Sequence, residues 1–387
     1  MSEQLASERA ALEPELIETR RALHRQPELA FAEHRTAELV AQRLRGLGLE
    51  PRSGVGGTGV IADLHGAQPG PTLLLRADMD ALPLQEAPGR PYGSEVPGRM
   101  HACGHDAHTS ALLGAAALLA PRTDNIAGRV RLLFQPAEEI GAGAAAMIAD
   151  GALDGVDEAL GAHVFSPMPF GVAGIRAGEM LVGLDMFELV VAGGGGHSGM
   201  AHEARDAVFA AAQLVSALQS IPTRETAPSD TLVLTIASID GGTAANVVAS
   251  TVTLRGTLRW LDHEIRRRAL DRMAQIAEGV CGALRVTAEL RTPVTLPVLR
   301  NSEASSALLA EAAAAAGATV IDPGIIPVSE DFAHVAERVP AGFIAVGAGG
   351  EGCGGHHAPD FDIDERAIGL TAELMARATL TRLAPTT

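Results

Sequence analysis

The stretch Thr72-Leu73-Leu74-Leu75-Arg76-Ala77-Asp78-Met79-Asp80 passes from an unbroken apolar run into two spaced carboxylates. A short continuous apolar run of this kind reads as a fully buried strand. Val130 to Phe134 and Ala159 to Val164 repeat the pattern, and helical segments lie between and around these runs. Glu33 to Leu47 carries an apolar face of Ala37, Leu39, Val40 and Leu44, and a second helix follows His105, where Ala111 to Ala120 is almost wholly apolar. Buried strands alternating with helices predict an α/β fold, a mostly parallel sheet covered by helices. Chemistry in such sheets gathers beyond the carboxyl ends of strands. Asp78 and Asp80 follow the first run, Glu138 and Glu139 the second, and His163 ends the third.

The middle of the chain changes pattern. Strands are expected over Asp185 to Val191, Thr231 to Ile239, Thr251 to Trp260 and Arg285 to Leu290, with helices over Ala204 to Leu218 and Glu264 to Leu284. The order βαββαβ is that of the ferredoxin-like split motif, which closes on itself. Residues 181–292 are therefore expected to form an inserted domain, with 1–180 and 293–387 forming the catalytic one. A length of 387 residues agrees with two cores.

The net charge of −17 argues against broad contact with nucleic acid or an anionic membrane surface. Residues 1–23 read as a polar amphipathic helix without the apolar centre of a signal peptide, and no apolar run reaches membrane-spanning length. Three cysteines, Cys103, Cys281 and Cys353, give no disulfide framework. The expectation is a cytoplasmic protein, with Cys281 inert in a helix core. All 30 basic residues are arginine, so chemistry that needs a lysine, as a Schiff base or in a phosphate-binding loop, is excluded.

The run Met100-His101-Ala102-Cys103-Gly104-His105-Asp106 sets a thiol and an imidazole two residues apart around a glycine. Thiolate, imidazole and carboxylate are the ligands of zinc and its neighbours. With Glu138, Glu139, His163 and the pair His356-His357, the chain holds enough donors for two ions. Taken singly, each has a plainer reading: a buried thiol, helix-capping acids, a core histidine. Their joint occurrence at successive strand ends favours a metal site. Such a site acidifies bound water, and one carboxylate must stay off the metal to take the proton.

The strings Leu23-His24-Arg25-Gln26-Pro27-Glu28-Leu29, Arg76-Ala77-Asp78-Met79-Asp80, His101-Ala102-Cys103-Gly104-His105-Asp106-Ala107-His108 and Gln135-Pro136-Ala137-Glu138-Glu139 resemble the amidohydrolase branch of the aminoacylase/carboxypeptidase-like dinuclear metallopeptidase family. That branch includes hippurate hydrolases, N-acyl-amino-acid amidohydrolases and auxin-conjugate hydrolases. The likeness continues through Gly196-His197-Ser198-Gly199, Gly242-Thr243-Ala244-Ala245-Asn246, Gly256-Thr257-Leu258-Arg259, Ser329-Glu330-Asp331-Phe332 and His357-Ala358-Pro359.

The resemblance implies two divalent ions per subunit, zinc first, with manganese, cobalt or nickel as alternatives. Their ligands would be Cys103, His105, Glu139, His163 and His357, with Glu138 as general base and Asp80 behind the ligands. It further implies that His197 stabilises an oxyanion, that Asn246 contacts substrate, and that the inserted domain acts as lid and homodimer interface. Arg259 is a candidate for a substrate carboxylate, since lysine is absent. The implied substrate is a small N-acyl amino acid. A dipeptidase or carbamoyl-amino-acid hydrolase would use the same core. A Cys103 nucleophile and a silent metal-binding scaffold are the remaining alternatives. Ala201 and Val328 depart from the family pattern, where proline and glycine are usual.

Overall fold

The computed structural model describes residues 2–385, which fall into two compact units. One comprises the chain up to Met180, Leu299–Ile326 and the residues from Glu330 onward; the other comprises Leu181–Val298 with Pro327–Ser329.

The chain begins with α1 (Ser2–Arg25), α2 (His34–Gly46), β1 (Arg52–Val55), β2 (Gly59–His65), β3 (Gln68–Asp78), α3 (His105–Leu119) and β4 (Ala127–Gln135). It continues through α4 (Gly143–Ala149), β5 (Glu158–Pro169), β6 (Val172–Gly174) and β7 (Gly178–Leu181). The second unit follows as β8 (Gly183–Ala192), β9 (Gly196–His197), α5 (Ala207–Leu218), β10 (Leu232–Gly241), β11 (Val247–Val248), β12 (Thr251–Trp260), α6 (His263–Ala283) and β13 (Thr287–Leu296). The first unit then resumes with β14 (Leu299–Asn301), α7 (Glu303–Ala315), β15 (Thr319–Ile321), α8 (Ala333–Ala336), β16 (Ala341–Gly349) and α9 (Arg366–Arg382).

The first unit is built on an eight-stranded sheet in the order β1-β2-β4-β3-β5-β16-β6-β15. Its four central strands, β4, β3, β5 and β16, are mutually parallel. The parallel pairings expected from the sequence form the centre of the sheet, and antiparallel ones lie towards its margins: β1 and β2 run antiparallel to their neighbours, as β6 does to β16. The physical reason is connection length. β1, β2 and β3 follow one another through the short turns Gly56-Gly57-Thr58 and Gly66-Ala67, which can only reverse the chain, so β2 runs against β1, β3 and therefore β4, whereas parallel neighbours need a longer crossover.

Helix α3 is buried on nearly every side, packed by α1, α9 and β3, as its lack of a polar face requires. Its polar groups are satisfied locally: Ser110 Oγ donates to the Leu16 carbonyl, and Thr109 Oγ to that of Asp78. At Gly114 an added Cβ would lie 2.8 Å from Leu16 Cδ1 and 2.9 Å from Ala372 Cβ, so glycine lets three helices cross closely. This packing holds the N-terminus of α3, and His105 with it, at the carboxyl end of β3.

The second unit is an antiparallel sheet in the order β10-β12-β8-β13. With α5 and α6 as crossovers, this is the ferredoxin-like arrangement. Asp206 and Asp262 cap those helices by accepting from backbone N–H groups of their first turns, each worth roughly 1 kcal/mol. Phe187, Leu189 and Val191 alternate along β8 into a core with Trp260, Met273 and Cys281. The expected domain end at residue 292 falls inside β13, whose pairing with β8 runs on to Leu296; the unit extends to Val298.

Candidate metal centre

Gly104 adopts φ 91° between Cys103 and His105. An L side chain there would be strained, and a Cβ would lie 2.5 Å from Val164 Cγ2. The turn it permits ends loop 100–104 and starts α3, so thiol and imidazole reach one cluster.

His163 lies within β5 rather than at a strand end, as the sequence reading had it. β5 continues to Pro169 because it pairs with β16 through Phe165 and beyond, while its pairing with β3 stops at Gly161. The end of β3 uncovers the residues past Gly161, and His163 occupies that opening.

Hydrogen bonds set the histidine tautomers. His105 Nδ1 donates to Asp80 Oδ1 at 3.2 Å, leaving Nε2 buried without a hydrogen-bond partner. His163 Nδ1 donates to the Val164 carbonyl at 2.6 Å, so Nε2 faces Cys103 Sγ at 3.5 Å. His108 is spent on both sides, donating to Asp78 and accepting from the Val164 amide. Asp78 also binds Arg76, so this pair buttresses the site instead of offering ligands. His357 brings Nε2 to 3.3 Å from Glu139 Oε2. Its φ of 60° is held by an N–H bond to the Ala102 carbonyl. His356 accepts from the Ser166 amide at Nε2 and stacks on Phe165, with Nδ1 at 3.8 Å from Cys103 Sγ.

Donor atoms of Cys103, His105 and His163 lie within 4.8 Å of one another, as do those of Cys103, Glu139 and His357, and of His105, Glu138 and Glu139. Cys103, His105 and Glu139 recur across these groups, so the five expected ligands form one continuous cluster. Two of its buried donor atoms, His105 Nε2 and Glu139 Oε1, have no hydrogen-bond partner, a costly arrangement that a bound cation would relieve. Soft and borderline donors with carboxylates fit divalent transition metals.

The electrostatics agree. Burial, reinforced by Glu330, Glu139 and Asp331, drives Glu138 well above the usual carboxylate range. Burial with Asp80 and Asp78 lifts Glu139 to about 7 against the pull of His105. Burial, then Glu139, pushes the Cys103 thiol well up. Burial pushes His105 down, but Asp78 and the Asp80 bond outweigh it, and it ends well above an ordinary histidine. His163 is pushed well down, chiefly by burial. The raised Glu138, Glu139, Cys103 and His105 share one cause beside burial, negative groups crowded around them, whereas His163 lies on the histidine side of the cluster.

Asp80 joins the two halves of the cluster: besides His105 it accepts from the backbone N–H groups of Glu138 and Glu139, each at 3.0 Å. Glu330, Asp331, Arg76 and Gln135 form a buried network beside Glu138 to which no role was given from sequence. Its members all lie in the strings that begin at Arg76, Gln135 and Ser329.

The remaining candidates belong to the second unit. His197 pairs with Val247 across β9 and β11, and the Ser198 amide donates to the Asn246 carbonyl, so His197 and Asn246 sit on neighbouring segments. Arg259 donates to Ser329 Oγ and the Pro327 carbonyl, both neutral.

The sequence pattern of Peptidase family M20/M25/M40 matches residues 74–381, a span that contains every residue of this cluster. The N-acetyl-L-cysteine deacetylase of Bacillus subtilis is 41% identical over 361 residues, 93% of this chain and 86% of its own length. Thermostable carboxypeptidase 2 of Saccharolobus solfataricus is 37% identical over 381 residues, 96% of each. The crystal structure of the Bacillus subtilis YXEP protein, described as a dinuclear metal binding peptidase from the M20 family, aligns with a TM-score of 0.83 at 34% identity. That alignment covers 97% of this chain and 99% of that one. With the pattern covering most of the length and relatives aligned almost end to end, the chain belongs to peptidase family M20/M25/M40.

Proposed function

We propose that this protein is a metal-dependent amidohydrolase that cleaves the amide bond of N-acyl amino acids. The observation that carries the reading is the different surroundings of the adjacent glutamates. Both approach His105 Nε2, at 3.8 Å for Glu139 and 3.9 Å for Glu138, but Glu139 also gathers with Cys103 and His357, while Glu138 gathers with Glu330 and Asp331. Cys103, His105, Glu139, His163 and His357 would hold two divalent ions, which supply polarisation of the scissile carbonyl and acidification of water. Glu138 takes the proton of the attacking water as the C–O bond forms and returns it to the leaving nitrogen as the C–N bond breaks.

In the second unit, the Gly199 amide donates to His197 Nδ1 at 3.1 Å, so Nε2 carries the hydrogen and is available as a donor. This supports His197 as the oxyanion donor. Arg259, whose bonds all go to neutral acceptors, supports a site for the substrate carboxylate, with Asn246 as a further contact. The second unit would act as lid and homodimer interface; exposed Phe209, Val233 and Ile239 support an apolar association surface. Three free cysteines support residence in a reducing cytoplasm. Among the described residues no helix is long and apolar enough to cross a membrane.

A Cys103 nucleophile finds no support, because its thiol is pushed up and nucleophilic cysteines need it pushed down. A silent scaffold has no use for a buried carboxylate left off the ligand set. A second reading, carboxypeptidase action, draws support from the Saccharolobus relative; it too cleaves an amide beside a free carboxylate. Stripped protein should lose hydrolysis of N-acetyl, N-benzoyl and indole-acyl amino acids and recover it with zinc or manganese. Blocked dipeptides assayed in parallel separate the two readings. Full activity in a sample shown to be metal-free would defeat both.

A further inference from the structure

Three successive backbone N–H groups of the turn that carries the paired glutamates all donate to buried carboxylates. Ala137 donates to Glu33 Oε1 at 2.9 Å, Glu138 to Asp80 Oδ1 at 3.0 Å and Glu139 to Asp80 Oδ2 at 3.0 Å. Ala137 is fully buried and has φ 55°, a left-handed conformation in which its Cβ crowds the backbone. Glycine would take that angle freely; alanine needs to be held.

Glu33 does the holding. It is fully buried, and its bonds go to neutral donors: the Ala137 amide, the Phe31 amide at 3.0 Å, and the Thr58 hydroxyl. Phe31 is itself at φ 60°. No ion pair to Glu33 is found among the described residues. Burying a carboxylate without a counter-charge is costly, so the arrangement points to a requirement that packing alone does not explain. Both backbone groups bound by Glu33 Oε1 belong to left-handed residues other than glycine. One of them directly precedes Glu138 and Glu139.

We infer that Glu33 is a positioning residue for the metal centre: it locks Ala137 in the left-handed conformation, so that Glu139 and Glu138 leave the turn in fixed and different directions. The inference rests on the proposed roles of those two glutamates. Glu33 touches neither substrate nor ligand atoms and acts through the backbone.

The test uses the full-length protein, stripped of metal and titrated with zinc alone, together with kcat and KM on an N-acetyl amino acid. Glu33→Ala should weaken zinc binding and lower kcat by about tenfold each, the order of a ~1.4 kcal/mol left-handed penalty, with KM changed less than about twofold. Glu33→Gln keeps one oxygen for both amides and offers its NH2 to Thr58 Oγ, so zinc affinity should stay within about threefold of wild type. Adding Ala137→Gly to Glu33→Ala should recover most of the loss, because glycine adopts the angle unaided. Unchanged zinc affinity in Glu33→Ala, or a double variant no better than the single one, overturns the inference. If Glu33→Ala does not fold, the double variant decides: folding with zinc binding supports the role, and failure of either overturns it. Glu138→Gln is measured alongside. Wild-type activity there would refute the base assignment while leaving the zinc titrations of the Glu33 variants to be read independently.

Discussion

Replacing Asp80 with asparagine probes the joint that ties the ligand helix to the glutamate turn. Asp80 Oδ1 accepts from His105 Nδ1 at 3.2 Å and from the Glu138 amide at 3.0 Å, while Oδ2 accepts from the Glu139 amide at 3.0 Å. Asparagine has the same shape but one acceptor oxygen. With that oxygen at the Oδ1 position two bonds survive, and the new NH2 group confronts the Glu139 N–H, donor against donor. A buried amide left without its acceptor costs about 1–3 kcal/mol. Loss of a carboxylate behind a ligating imidazole independently lowers metal affinity by about 10–100-fold, or ~1.4–2.8 kcal/mol. The two estimates agree in order. Asp80→Asn should therefore bind zinc about 10–100-fold more weakly, measured by competition with a chromogenic chelator, and should remain folded by circular dichroism. Its hydrolysis rate should stay depressed at saturating zinc, because Glu138 shares the displaced backbone. A folded variant with wild-type zinc affinity would refute the reasoning.

Other expectations follow from the same structure. Glu138→Gln should lose ~10²–10⁴-fold in hydrolysis while retaining metal, whereas Glu139→Gln should lose metal by elemental analysis; equal metal content in both would remove the distinction. His197→Ala should cost ~3–4 kcal/mol of transition-state stabilisation, read from kcat with metal content unchanged. Arg20, fully buried against Asp106, Asp362 and Glu365 at 2.9–3.0 Å, should on replacement by methionine destabilise the fold by about 3–5 kcal/mol in urea unfolding, since the cation shared by three carboxylates is lost and the fully buried Asp106 keeps only the His24 side chain beside it. Glu86 is driven down to about 2, because bonds from His24, the Ser94 amide and Arg90 outweigh its burial. A depressed carboxylate contributes stability above its unfolded value near 4.5 and loses it as the pH falls towards 2. The stability gap between wild type and Glu86→Gln should therefore close progressively below about pH 5, and it should narrow again at alkaline pH as His24, whose pKa Glu86 helps to raise, loses its proton; a gap independent of pH would count against the assignment.

Much of the architecture is written locally. The apolar runs at Thr72 to Leu75 and Val130 to Phe134, and the helical face of Ala37, Val40 and Leu44, announce strands and helices because their side-chain periodicity is a property of a few consecutive residues. The order of elements in the second unit was legible for the same reason. So were the grouping of Cys103 with His105 and the adjacency of Glu138 and Glu139, since those spacings are chemical statements within a single turn. Tertiary structure decided what is not local. Parallel crossovers bring residues 33, 80, 105, 137, 163 and 357 to one end of the sheet, and only there do Asp80 and Glu33 become acceptors for the Ala137-Glu138-Glu139 backbone. The early end of β3 opens the space that His163 fills, and the Val164 carbonyl and Ser166 amide select which ring nitrogens of His163 and His356 remain free. Direction, tautomer and unpaired charge depend on which distant backbone group lies within about 3 Å, and no periodicity along the chain encodes that distance.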